Sequence, residues 1–224
     1  MATTQQQLGT SANQGLILLS EVDFNNTVSL AMDPTAIHLG PRIVFFTDGS
    51  SYDDDLIIGA GVTYKEFNST FTPWTDLPFS ATGAKYSATA KHLAINRALS
   101  VVVKKSRRGR GAGGFPTFFI FTDSRYVIRL MYDFLEAKSK VCDRFGNPEY
   151  KSLARHLSTL VSRRVPVKIY WVKAHAETNG NNRADKLTGL EVRWALTQSG
   201  REDGYKVTLT PETLPEVWPP ALGQ

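Results

Sequence analysis

Arg42–Ser50 reads RIVFFTDGS and Phe115–Ser124 reads FPTFFIFTDS. Each is an apolar run too short for a helix and rich in β-branched and aromatic residues, which fits a central strand buried on both faces. Each run ends in Thr-Asp, so Asp48 and Asp123 stand at the carboxyl ends of two strands. In a parallel arrangement such ends lie side by side, and carboxylates placed there can converge on hard cations through oxygen ligands. Val165–Val172 (VPVKIYWV) is a third strand of the same kind.

Working outward, Ser51–Asp55 is a polar turn. Ile57–Tyr64 with Gly59 and Gly61, then Glu66–Phe71, read as the second and third strands of an antiparallel meander. From Ala84 to Val103 the spacing becomes helical, with Lys91, Ile95, Ala98 and Val102 on one stripe, so Lys91 shares the core-facing side. Ser124 caps a helix carrying Val127, Leu130, Met131, Phe134 and Leu135. After Gly146-Asn147-Pro148, Leu153, Leu157, Leu160 and Val161 mark another. A last helix spans Asn182 to about Thr197, with Asp185 in its first turn, where an acid interacts well with the helix dipole. Taken singly, Asp48 reads as a turn former before Gly49, Asp123 as a strand-end turn residue and Asp185 as an ordinary first-turn acid. Their ordered combination outweighs those readings.

The pattern is α/β, and 224 residues with 42% hydrophobic content suit one domain with extensions. Residues 1–40, rich in Gln, Thr, Asn and Ser, read as a flexible or partly docked arm. Residues 41–197 read as the domain, and 198–224 as a Pro-rich extension with one strand at Tyr205–Leu209. A single cysteine, Cys142, excludes an internal disulfide framework and a cysteine-based zinc cluster. No apolar run approaches the roughly 18 to 20 residues that span a bilayer, so no membrane partner is expected. With no Lys or Arg before Arg42, secretory and mitochondrial presequences are disfavoured, leaving cytoplasm or nucleus. The net charge of +5 is concentrated in Lys104, Lys105, Arg107, Arg108 and Arg110; without them the chain is neutral.

Three blocks, FFTDGS followed by GAGV, FTDSRYVI, and WVKAHAETNGNNRADKLT, resemble the ribonuclease H type 1 family in order and spacing across about Arg42–Leu196. The last block is the most specific, since Trp171-Val172-Lys173, His175, Gly180-Asn181 and Arg183-Ala184-Asp185 are similar to the family's strand, mobile His loop and final helix. The resemblance implies a mixed five-stranded sheet, a three-strand antiparallel meander plus parallel strands, with helices on both faces. It also implies hydrolysis of the RNA strand of RNA–DNA hybrids with two Mg²⁺ (or Mn²⁺) ions, one helping to generate the attacking hydroxide and the other stabilising the leaving oxygen. By position Asp48 would bridge both metals, Asp185 would hold the nucleophile-side ion and Asp123 the leaving-group-side ion. His175 would assist proton movement or product release, and Asn182 would contact nucleic acid.

One family residue is replaced. In the helix the family writes as Ala-Glu-Leu-x-Ala-Ile-x-x-Ala-Leu, Lys91 stands on the glutamate and His92 on the leucine, and no Asp or Glu occurs from Leu77 to Phe121. Asp53, Asp54 and Asp55 fall at the far end of the hairpin from Asp48. At about 4 Å and an effective dielectric near 20 a charge pair is worth roughly 4 kcal/mol, enough for the ammonium to act as a tethered cation among the aspartates. Metal occupancy is thus expected to drop to one or none, and the enzyme to be impaired; the bland alternative is that Lys91 snorkels away with no role.

The KKSRRGRGAGG stretch reads as a loop suited to phosphate backbones; five engaged cations would weaken binding by roughly 4 to 5 log units per decade of salt. A solvated insertion or nuclear-localisation-like run is the competing reading. The family's usual basic handle is represented here only by Lys138, Lys140 and Arg144. The leading function is an RNA–DNA hybrid ribonuclease. The alternative is a non-catalytic nucleic-acid-binding or scaffold module derived from one, and a third reading, a retroelement fragment, would have no room for a polymerase.

Overall fold

The computed structural model describes residues 16–19, 24–52, 57–67, 72–82, 87–108, 115–137, 148–174, 178–198 and 206–209. Along the chain lie β1 (Leu16–Leu19), α1 (Phe24–Met32), a 3-10 turn (Ile37–Leu39), β2 (Arg42–Tyr52), β3 (Ile57–Phe67), β4 (Thr75–Thr82) and α2 (Ser87–Arg108). There follow β5 (Thr117–Thr122), α3 (Arg125–Ala137), α4 (Pro148–Ser162), β6 (Val167–Trp171), α5 (Asn179–Gln198) and β7 (Lys206–Leu209).

The strands form one sheet in the order β1-β6-β5-β2-β3-β4-β7. Its middle five, β6-β5-β2-β3-β4, are the expected mixed arrangement: β2, β3 and β4 antiparallel, and β2, β5 and β6 parallel. The sheet is seven-stranded rather than five because both extensions contribute an edge strand, β1 parallel to β6 and β7 antiparallel to β4.

Alternation along the buried strands feeds two cores. Ile43 and Phe45 of β2 with Phe118 and Ile120 of β5 pack with residues of α2, α3 and α4. Val44, Phe46, Phe119 and Phe121 point to the other face, where Val28 and Ala31 of α1 and Ala184 of α5 join Trp74, Tyr170 and Val172. Helix α1 is an addition to the sequence reading, which treats residues 1–40 as an arm. Its end is held by buried Arg42, whose guanidinium donates to the carbonyls of Ala31 (2.8 Å), Asp33 and Ala36 (3.3 Å) and lies over the Phe67 ring. A cation there also complements the carboxyl end of the helix.

The third meander strand is corrected. Glu66 and Phe67 complete β3, which pairs with β2 from Tyr52↔Ile57 to Arg42↔Phe67; the third strand is Thr75–Thr82, and residues 68–71 lie outside those described. Asp76 and Pro78 disguise it. Asp76 is polar for a packing reason: it accepts from Thr63 (2.6 Å) and from Arg183 Nε (2.8 Å) and Nη2 (2.5 Å), all buried. That ion pair ties α5 to β4.

Two helix ends also move. Helix α2 continues past Val103 to Arg108 because Lys, Ser and Arg are compatible with helix and no glycine interrupts before Gly109. Helix α5 begins at Asn179, after Thr178, whose hydroxyl accepts the Asn181 N–H at 3.3 Å. Asp185 therefore sits in the second turn, where the dipole has largely faded.

Candidate active site

The parallel register of β2 with β5 ends at Thr47↔Thr122, so Asp48 and Asp123 are the next residues on adjacent strands. Ser124 accepts the Val127 N–H at 3.3 Å and caps α3, turning the chain just after Asp123. Trp171, across from Thr122 on β6, donates its indole N–H to the Asp123 carbonyl at 2.9 Å, and Arg125 lies over its ring. Trp171 is thus a support for the Asp123 strand end, a role the sequence does not disclose.

Glycine sets the helix positions. A Cβ on Gly49 would lie 2.5 Å from the Lys91 backbone nitrogen, so the glycine permits α2 to close on β2 and delivers Lys91 to Asp48. On the neighbouring strand a Cβ on Gly61 would lie 2.6 Å from the Ala184 carbonyl oxygen, and its absence seats α5 with Asp185 beside the same strand ends.

The Lys91 ammonium forms an ion pair and hydrogen bond with Asp123 Oδ2 and stands 3.4 Å from Asp48 Oδ1. Burial pulls the Lys91 pKa down, but the hydrogen bond to Asp123 and the charge of Asp48 outweigh it, and the net shift is upward. Asp48 is pushed up to about 6, first by burial and then by the charge of Asp123, with Asp185 adding to the effect; Lys91 and the Gly49 N–H, 2.7 Å from Oδ1, act against it. Lys91 on its ammonium side is charged and held, not snorkelled into solvent. The next residue, His92, is buried, stacks on Tyr150 with ring centroids 4.7 Å apart, and is depressed by burial to about 4.

Lys91 thus contacts both Asp123 and Asp48, and Asp123 and Asp185 are near enough to act on Asp48 electrostatically. His175 lies outside the described residues, as does Arg110. Asn182 is exposed in the first turn of α5. Of the basic stretch expected as a loop, Lys104, Lys105, Arg107 and Arg108 ride on the last turns of α2. Lys105 is paired with Glu66 at 2.5 Å and covers Tyr64, whereas Lys104 and Arg107 are exposed.

The sequence model of the family RNase H matches residues 40–193, more than half of the chain. The chain belongs to the RNase H family. Solved structures with a similar fold include the N-terminal RNase H domain of Rv2228c from Mycobacterium tuberculosis, fused to maltose-binding protein (20% identity, 70% of this chain and 96% of that one, TM-score 0.46). Another is the foamy viral protease-reverse transcriptase in complex with dsDNA (24%, 69% and 96%, TM-score 0.46). A third is LC11-RNase H1 in complex with RNA/DNA hybrid (18%, 69% and 99%, TM-score 0.46). No match is found among curated proteins.

RNase H enzymes generally use Mg²⁺ or Mn²⁺, which raises the question of whether these side chains suit a metal pair. Asp123 Oδ1 is buried with no hydrogen-bond partner among the described residues, as a ligand oxygen would be. Its other oxygen, however, is taken by the ammonium, and no three His, Cys, Asp or Glu among the described residues are arranged to hold a metal ion. Three carboxylates with an internal cation cannot neutralise two divalent ions, so a two-metal centre does not fit this set.

Proposed function

We propose that this protein is an RNA–DNA hybrid ribonuclease of the RNase H family held at low turnover by its own lysine. The contact of Lys91 with both Asp123 and Asp48 carries the reading. One ammonium supplies a single positive charge where the resemblance implies two divalent ions, and charge stabilisation aimed at the reacting phosphate falls accordingly. In this reading Asp48, Asp123 and Asp185 are the inherited catalytic carboxylates, and His175 the inherited mobile histidine.

Cleavage of a labelled hybrid with Mg²⁺ by wild type, Lys91→Glu and Asp48→Asn tests it. Restoring the carboxylate is expected to raise the rate by on the order of 100-fold, the scale of a lost transition-state charge contact. The Asp48→Asn protein should be inactive and exposes contaminating nuclease. A robust wild-type rate that the reversion fails to raise would sink the proposal.

A second reading, a non-catalytic hybrid-binding module, is supported by the same occupation of Asp123 by the Lys91 ammonium. Calorimetric titration separates the two: hybrid binding without Mg²⁺ or Mn²⁺ binding, together with no cleavage, supports the module.

A further inference from the structure

Beside the aspartate cluster, a cleft of about 440 Å³ opens between the end of β2 and the outer side of α5, lined by Ser50, Asp185, Lys186, Thr188, Gly189 and Arg193. Lys186, Gly189 and Arg193 follow at i, i+3 and i+7, which places them on one helical face. Between the two cations, Gly189 leaves room: even a Cβ there would come no nearer than 3.9 Å to the Arg193 guanidinium. Arg193 is exposed and makes no hydrogen bond or ion pair among the described residues. The Thr188 hydroxyl is bonded to the Asp185 carbonyl at 2.7 Å. Ser50, Lys186 and Arg193 therefore line a cleft whose acid among the described residues, Asp185, belongs to the reaction centre.

We infer that this cleft is a phosphate-binding track for one strand of the nucleic acid, with Lys186 and Arg193 as its cations and Ser50 as a hydrogen-bond donor. The identity of the polyanion rests on the hybrid-ribonuclease reading; the anion-binding chemistry rests on the cleft. Seven helical residues rise about 10 Å, and at about 3.4 Å per nucleotide along a strand the two cations span roughly three nucleotides. A strand lying there passes Asp185 as it leaves the cluster. Guanidinium and hydroxyl donors suit phosphodiester oxygens, which position a nucleic acid without reading its sequence.

The test measures hybrid binding by fluorescence anisotropy in EDTA, so that cleavage plays no part, over a range of salt. It compares wild type, Lys186→Gln with Arg193→Gln, and a charge-matched control, Lys151→Gln with Arg155→Gln, on exposed positions of α4. Losing two phosphate contacts should make the slope of log Kd against log salt shallower by about 1.8 and weaken binding by on the order of 10- to 100-fold near 0.1 M salt. The control should do neither. In parallel, inorganic phosphate is titrated while the backbone amide resonances of Ser50, Lys186 and Gly189 are followed in wild type. Unchanged slopes in a hybrid-binding protein, or equal changes in the control, overturn the track and leave the functional reading intact. If wild type binds no hybrid, that reading falls; shifts with phosphate then still support the anion site, and none removes it too.

Discussion

Lys91→Glu converts an attraction into a repulsion inside the aspartate cluster, and its effect on stability can be worked from the geometry. At 3.4 Å from Asp48, and with an effective dielectric near 20, the pair energy is about 5 kcal/mol. Reversing its sign, partly relieved by solvent at a lysine side chain 27% exposed, should destabilise the folded protein by on the order of 5 kcal/mol. For a domain of this size about 1 kcal/mol moves Tm by roughly 2–4 °C, so Tm in EDTA should fall by roughly 10–20 °C. The measurement belongs near pH 8, because Asp48, already pushed up to about 6, would otherwise escape the repulsion by taking a proton. Mg²⁺ should then restore the variant, by about 2.7 kcal/mol at a hundred times its Kd, while wild type, carrying its own cation, should gain much less at the same concentration. Lys91→Met separates loss of attraction from added repulsion. Differential scanning fluorimetry with and without Mg²⁺ reads all three. Equal gains from Mg²⁺ in wild type and variant, or a variant as stable as wild type in EDTA, would refute a lysine that stands in for the metal.

Two further outcomes concern parts of the fold away from the acids. Asp76→Asn leaves the Arg183 guanidinium buried without its countercharge and should cost about 3–5 kcal/mol, read as a lower midpoint in urea; an unchanged midpoint would show that the pair is dispensable. His92 must stay neutral to stay buried, and its folded pKa of about 4 lies below the ordinary 6.5. Its contribution is complete above pH 6.5 and is lost as pH falls toward 4, amounting to about 3 kcal/mol. Asp48 has the opposite sign: raised from 3.8 to about 6, it favours the folded state increasingly as pH falls through that window. The two therefore oppose each other in wild type. His92→Leu should remove the acid-labile component, so that its stability relative to wild type improves from pH 7 to pH 4; parallel profiles would refute the assignment.

How much of this was legible in the sequence depends on what each residue packs against. The strands β2 and β5 announce themselves because they are buried on both faces, and their register then carries Asp48 and Asp123 together. Lys91 was legible by helical spacing alone, since Ile95, Ala98 and Val102 of the same stripe are fully buried. Helix α1 was not, because FNNTVSLAM carries several polar residues, and the burial of Val28 and Ala31 comes from the sheet they land on. β4 hid its strand character behind Asp76, whose partner Arg183 lies on a distant helix. That same arginine, read from its motif as a family mark, is in the structure a buried strut. The cleft formed by Ser50 with Lys186 and Arg193 was also invisible, since it exists only once α5 is laid across the end of β2.

The added edge strands bear on how the chain behaves toward its own copies. A bare sheet edge presents unpaired N–H and C=O groups on which another strand can build, a route to self-association. Here β1 occupies the outer side of β6 along Val167–Tyr170, and β7 occupies β4 along Phe79–Thr82. Among the described residues, the half of β4 without a partner from β7, Thr75–Pro78, ends in a proline with no N–H to donate. Each strand now outermost is four residues long, a short template for a passing chain.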